Sequence, residues 1–440
     1  MMNKLIISFI CMLCSVILNA TNTCPIVYDG NKVLFRVKNP NAKAVYLSGS
    51  MLPIKKKIKT PVGTFGKHGD VLMTLNNDDW WEYSIDSVPP GLYTYKFKID
   101  DDKEQIDSLN PNIMREGNEY ISYFIIPGGY TDDYETKNIP HGFIDEIWYP
   151  SALDEFKERR MMIYLPSEYA EQKFTRYPVL YLLHGSGGDE ESWLDCGRLA
   201  QIMDNLIDQK RCKPMIVVMP NGIANRASAP GKDPNNLDLK SSSINIESML
   251  GSIESVFMND IVDFVDKNYR TLNNKQNRAI AGLSLGGLQT IFISLNNPTA
   301  FDYIGLFSAQ ATNALNDKNI LEVEEFADSW NGLSSLLPFM KKKGIFKKIT
   351  EITNNISNET LSIYGDFDKK LSEQFSNPPS LYYIALGKDD FVKKLNNDFR
   401  KKLDKNKFKY IYIETEGGHT WDNWRKYLVD FLPRIFGNNN

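Results

Sequence analysis

The 440-residue sequence predicts an α/β fold, a doubly wound and mostly parallel sheet, preceded by a small all-β immunoglobulin-like sandwich. Three observations lead there. Short alternating strands without helical spacing fill the first third of the chain, and near-continuous apolar runs alternate with amphipathic stretches in the rest. A glycine-flanked serine also sits where one of those runs turns into a helix. A chain this long exceeds what one core usually covers, so two domains are expected.

Taken in order, the first element is Lys4 followed by the apolar run 5–18 and then Asn19-Ala20. A charged start, roughly 14 apolar residues and a small residue after them form a signal-peptide pattern over 1–20, which implies a secreted or periplasmic protein. That run is too short for a membrane-spanning helix of about 20 residues. No later stretch is long and apolar enough to span, so no stable membrane span is expected once the signal is removed.

Residues 21–127 read as the sandwich, with strands at 33–37, 44–47, 81–85, 92–99 and 120–126 separated by turn residues such as Pro89-Pro90-Gly91. The stretch 128–140, opening on Gly128-Gly129, reads as a linker. From 141 to 440 the rhythm changes. The runs 179–183 and 215–219 are apolar throughout, as in parallel strands buried on both faces. Residues 199–207 have helical spacing between them, and Phe257, Ile261, Phe264 and Val265 repeat it. Strands follow at 278–282, 381–386 and 410–413, with helices at 391–403 and 421–431.

Gly282-Leu283-Ser284-Leu285-Gly286 stands between an apolar strand and a helix. A turn that sharp needs its glycines and lifts the serine hydroxyl above the sheet, while the helix N-terminus favours developing negative charge. Ser284 is therefore the candidate nucleophile of an α/β-hydrolase. It needs a base, and the chain has four histidines: His68, His141, His184 and His419. The first lies in the sandwich, the second begins the catalytic half, and His184 ends a buried strand in a glycine-rich turn. His419 falls between the last strand and the last helix, where the chain order Ser…Asp…His requires the base. The acid should follow a strand between them, and Asp389 and Asp390 both do. Asp366 and Asp368 lack a buried strand leading in. Oxyanion donors would be the Leu285 N–H and that of Gly185 or Ser186.

The pieces 177–185, 214–222, 277–284 and Gly417-Gly418-His419-Thr420-Trp421-Asp422-Asn423-Trp424-Arg425 resemble the esterase D-like enzymes. Within that group the likeness is to the feruloyl and acetyl-xylan esterases of carbohydrate esterase family 1. The resemblance implies that the acid is the aspartate three residues after a glycine and before a phenylalanine, which selects Asp390 after Gly387. It also implies a serine esterase acting on feruloyl or acetyl esters of hemicellulose, with an esterified polysaccharide or oligosaccharide as partner. Trp193, Trp421 and Trp424 could line an aromatic pocket. Residues 90–97 resemble early-set domains related to family 48 carbohydrate-binding modules, and Trp80, Trp81, Tyr93 and Tyr95 could stack on sugars or fill a core. The stretch 311–380 is longer than the family's usual connection and is expected to cover the serine as a lid or acyl-pocket wall. The alternatives are a siderophore (enterobactin-type) esterase, a trehalose-type acyltransferase and, from another class, a non-catalytic carbohydrate-binding protein.

Composition narrows the rest. A net charge of -4 and a pI near 5.8 argue against nucleic acid as a partner. Once the signal is removed, Cys24, Cys196 and Cys212 remain, which is no disulfide framework. A helix of about ten residues would hold the last two roughly 15 Å apart, beyond the ~7 Å that a bridge tolerates. No Cys-x-x-Cys pair follows residue 20, and the proposed chemistry requires no metal or organic cofactor.

Overall fold

The two rhythms become two sets of sheets. The computed structural model describes residues 23–60, 63–100, 104–153, 156–234, 251–309 and 362–437. The predicted signal segment 1–20 and most of the stretch 311–380, expected to cover the serine, lie outside them. The chain divides into two compact units: one holds residues up to 56, 66–114 and 120–132, and the other holds 57–65, 115–119 and everything from 133 on.

In the first unit, one antiparallel sheet has the order β1 (Ile26–Tyr28), β2 (Lys32–Lys38), β8 (Trp80–Ile85), β7 (Thr74–Leu75). The other sheet has the order β10 (Ile113–Glu116), β11 (Glu119–Ile126), β9 (Gly91–Ile99), β3 (Val45–Gly49), β6 (Asp70–Leu72). β4 (Ile54–Thr60) and β5 (Gly63–His68), shared between the two units, pair only with each other among the described strands. Alternation puts Val33, Phe35, Val45, Leu47, Tyr95 and Phe97 inside. Phe35 and Tyr95 meet edge to face at 5.0 Å.

This corrects part of the sugar-stacking expectation. Tyr95 is buried and its hydroxyl donates to Asp107, while Trp81 is buried with its indole N–H on the Asn39 carbonyl. Tyr93 stacks on Phe124, and Trp80 packs under the Arg36 guanidinium at 4.7 Å.

The second unit is built on an eight-stranded sheet. Its order is β12 (Phe143–Pro150), β13 (Glu158–Leu165), β15 (Ile216–Pro220), β14 (Val179–Leu183), β16 (Arg278–Leu283), β17 (Tyr303–Phe307), β18 (Leu381–Gly387), β19 (Ile411–Thr415). From β15 to β19 every pairing is parallel, and every residue of β14 to β18 is buried. The first two strands form an antiparallel hairpin that sequence did not predict, because β12 is a half-exposed edge without clean alternation.

Five helices of ten residues or more cover the sheet among the described residues: α1 (Leu199–Asp208), α2 (Leu285–Asn296), α3 (Phe367–Ser376), α4 (Lys393–Lys405) and α5 (Trp421–Phe431). In α2 every residue from Leu285 to Leu295 is buried, so this helix has no polar face. The helical region predicted around 257–265 is interrupted by a π-helical stretch, Phe257–Val262. After β14 the chain moves outward to β15, then returns past β14 to β16. That reversal opens a crevice beyond the carboxyl ends of β14 and β16, the usual ligand position in such sheets.

Candidate active site

Ser284 follows β16 at that crevice with φ 53° and ψ -114°, a backbone conformation few non-glycine residues adopt. It is held there by packing. Its N–H donates to the Phe307 carbonyl, and its own carbonyl accepts from Leu288 in the first turn of α2. A side chain at Gly286 would put Cβ 2.4 Å from the His184 carbonyl oxygen, and one at Gly282 would put it 2.2 Å from the Gly286 carbonyl oxygen. The obstacles are backbone, so both positions must stay glycine. The Leu285 N–H, at the first position of α2, has no partner within the helix.

The turn after β14 lies against this elbow. A Cβ on Gly185 would come within 3.2 Å of the Ser284 Cβ. His184 is buried with both ring nitrogens engaged: Nδ1 faces the Gly185 carbonyl at 2.8 Å, and Nε2 accepts from the Gly222 N–H at 2.8 Å. Burial lowers its pKa, so the imidazole is neutral with its proton on Nδ1. That leaves it no free nitrogen to act as a base.

Beyond Ser186, Gly187 and Gly188 the turn continues into three buried acids. Arg115 grips Asp189 at 2.6 and 2.8 Å and reaches Glu191 at 2.9 Å. Arg160 of β13 reaches Glu190 at 2.8 Å and Glu191 at 2.7 Å. Burial alone would push Glu191 up, but its hydrogen bonds to Arg160 and Arg115 bring it below the usual carboxylate range. Glu190 is pushed upward by burial and by the adjacent Asp189 charge. It accepts from Arg160, the Ala229 N–H and Asn221 Nδ2, a set of partners that suits the carboxylate.

Asp390 and His419 come from the ends of β18 and β19, on the same edge of the parallel strands as Ser284. His419 Nδ1 lies 3.0 and 3.2 Å from the two oxygens of Asp390, whose side chain is fully buried. Asp390 Oδ1 also accepts the Val392 N–H. Asp389 is exposed, so the structure brings the second of the adjacent aspartates to the histidine. The His419 ring stacks obliquely on Phe391 at 4.4 Å, and the Trp424 ring stands perpendicular to it at 5.0 Å. Asn423 braces the loop through the Gly418 carbonyl.

The three tryptophans proposed as a ligand pocket divide. Trp193 is 1% exposed, its N–H is spent on the Leu183 carbonyl, and it packs edge-on against Trp421. Trp424 is also buried, against the imidazole. These two are packing residues, a correction to the sequence expectation, and of the three Trp421 alone keeps partial exposure. Phe391 enters the sequence reading only as the residue after the acid, and Glu190 and Asn221 carry no signal there. Asn221 lies in the 214–222 piece, yet its partner Glu190 is 31 positions away. Among the described residues, no three His, Cys, Asp or Glu side chains converge as metal ligands would, and no helix is long and apolar enough to cross a membrane.

The family model described as Esterase matches residues 156–435. The chain is 34% identical over 292 residues to an endo-1,4-beta-xylanase/feruloyl esterase of Xylanibacter ruminicola, covering 64% of this chain and 36% of that protein. It thus spans about a third of that relative's length. It is 23% identical over 282 residues to an acetyl esterase of Caldicellulosiruptor saccharolyticus, covering 62% of this chain and 91% of that one. Among solved structures, the enterobactin esterase of Shigella flexneri matches with a TM-score of 0.51 at 15% identity and 92% coverage of both chains, a likeness of fold. Because the family match takes in well over half of the sequence, the protein belongs to the Esterase family and has the α/β-hydrolase fold.

Proposed function

We propose that the protein is an exported serine carboxylic-ester hydrolase acting on esterified plant-wall hemicellulose, with feruloyl or acetyl esters of xylan as its substrates. The observation that carries the reading is the strained Ser284 elbow, on the same sheet edge as an Asp390–His419 pair joined at 3.0 Å. His419 Nε2 takes the Ser284 proton while Oγ bonds to the ester carbonyl carbon. The carbonyl oxygen becomes an oxyanion facing the Leu285 N–H and the Gly185–Ser186 turn. Collapse expels the sugar alkoxide, which takes the proton from His419. Water then repeats the sequence on the acyl-enzyme and releases the acid. Asp390 holds the imidazole in the tautomer that presents Nε2 to the serine and stabilises the imidazolium.

The substrate class is supported by the 34% identity to a xylanase/feruloyl esterase and by the acetyl esterase relative. The signal-like segment 1–20 supports export to the periplasm or medium, and the change in rhythm supports a sandwich over 21–127 joined by 128–140 to a catalytic domain over 141–440. The test offers the purified enzyme feruloylated arabinoxylan, acetylated xylan and a ferric siderophore, beside Ser284→Ala. Ferulate or acetate release by the parent, with turnover lower by up to ~10⁶ in the variant, is the expected result. Release from neither xylan defeats the substrate, and esterase activity retained in Ser284→Ala defeats the mechanism.

A further inference from the structure

We infer that Glu190 is a positioning residue for the oxyanion turn. The inference rests on the proposed role of the Gly185–Ser186 backbone. That turn starts at His184 and runs into Glu190, and both ends are tied to one partner, the loop that follows β15. At the near end, Gly222 N–H donates to His184 Nε2 at 2.8 Å. At the far end, Glu190 accepts from Asn221 Nδ2 at 2.9 Å and from the Ala229 N–H at 2.8 Å. The loop is itself anchored. Arg159 donates to the carbonyls of Asn221 and Ile223, and Gln289 of α2 donates to the Gly222 carbonyl at 2.8 Å. Since α2 begins at Leu285, the helix carrying one proposed oxyanion donor and the turn carrying the other are referenced to the same short segment.

Between the tied ends the turn has little of its own to hold it. Ser186, Gly187 and Gly188 are partly exposed, Gly187 has φ +79°, and the internal bond is Gly188 N–H to the Gly185 carbonyl. Its position is therefore set from outside, by His184 and by the acids. Glu190 differs from its neighbours. Asp189 and Glu191 are held by Arg115 and Arg160, while Glu190 alone of the three joins Arg160 to the 221–229 loop. Donors that must lie within a few tenths of an ångström of a developing charge lose their effect when such a mount loosens.

The test compares Glu190→Gln and Glu190→Ala with the parent, after thermal melts show each to be folded. The readouts are kcat, KM and inhibition by an arylboronic acid and by the free carboxylic acid product. A boronic acid accepts the Ser284 oxygen and becomes a tetrahedral anion, so it draws fully on the oxyanion donors, whereas the planar carboxylate product, with its charge shared over two oxygens and no bond to Ser284, draws on them less. Expected are a fall in kcat of about tenfold or more for Ala and less for Gln, KM within about twofold, boronate inhibition weakened in step with kcat, and product inhibition weakened less. Folded variants with the parent's kcat and boronate affinity overturn the inference, as does a rise in KM with boronate affinity intact. Should the Glu190 variants not fold, Asn221→Ala removes one contact to the same carboxylate and is read identically. Activity remaining in Ser284→Ala would instead condemn the mechanism beneath, so the two failures are distinguishable.

Discussion

Asp390 shows how little freedom the site leaves a side chain. One carboxylate oxygen serves both the His419 imidazole and the Val392 N–H, and the group has no exposed surface. Asp390→Asn keeps the shape but turns an N–H toward Nδ1, favouring the wrong tautomer. Turnover should drop by about 10⁴-fold with the melting temperature little changed, measured by steady-state kinetics and calorimetry. Gly286→Ala is the steric counterpart. Its new methyl would meet the His184 carbonyl oxygen at 2.4 Å, so the variant should lose both activity and thermal stability, as a melt beside an ester assay would show. Much of this was legible in the sequence. Gly282 and Gly286 announce a sharp turn, and His419 was reached by eliminating three other histidines. The choice between Asp389 and Asp390 needed a family likeness, because neighbouring residues differ in direction, which spacing cannot show. The fates of Trp193 and Trp424 were illegible, since an indole beside a catalytic loop packs or binds according to neighbours far away in the chain.

At the level of elements, the helical run before β16 carries a buried acid outside the site. Glu254 accepts the Tyr364 hydroxyl at 2.5 Å, its other oxygen is unpartnered, and burial pushes its carboxyl up to about 7. Below about pH 4.5 both the folded and the unfolded chain hold this proton. Between there and 7 the unfolded chain releases it while the folded chain keeps it, so stability falls as pH rises across that interval. Above 7 the loss is complete, at roughly 3 kcal/mol by the usual 1.4 kcal/mol per pH unit. Glu254→Gln should flatten this part of the melting temperature against pH, and an unchanged slope would show that other groups cause it. Sequence gave no hint of this pair, whose members are 110 positions apart.

Across the whole molecule, depth in the sheet governs the cost of a substitution. Ile304, in β17 with strands on both sides, has no exposed surface, so Ile304→Ala should cost about 2–5 kcal/mol, read as a lower urea midpoint at constant slope. Phe174 is 99% exposed, and Phe174→Ser should shift stability by no more than about 0.5 kcal/mol. Sequence separated these cases only in part. The all-apolar runs of β14 and β15 announced buried parallel strands, but β12 and β13, which pair antiparallel at the edge, carry mixed residues that periodicity does not resolve.

The three described thiols, Cys24, Cys196 and Cys212, are unbridged, and burial raises the pKa of each. A thiol that stays protonated and sheltered reacts slowly with alkylating agents. In the folded protein, a cysteine engineered onto the surface should therefore react ahead of the buried Cys24 and Cys196 and serve as an attachment point for a fluorophore or a solid support.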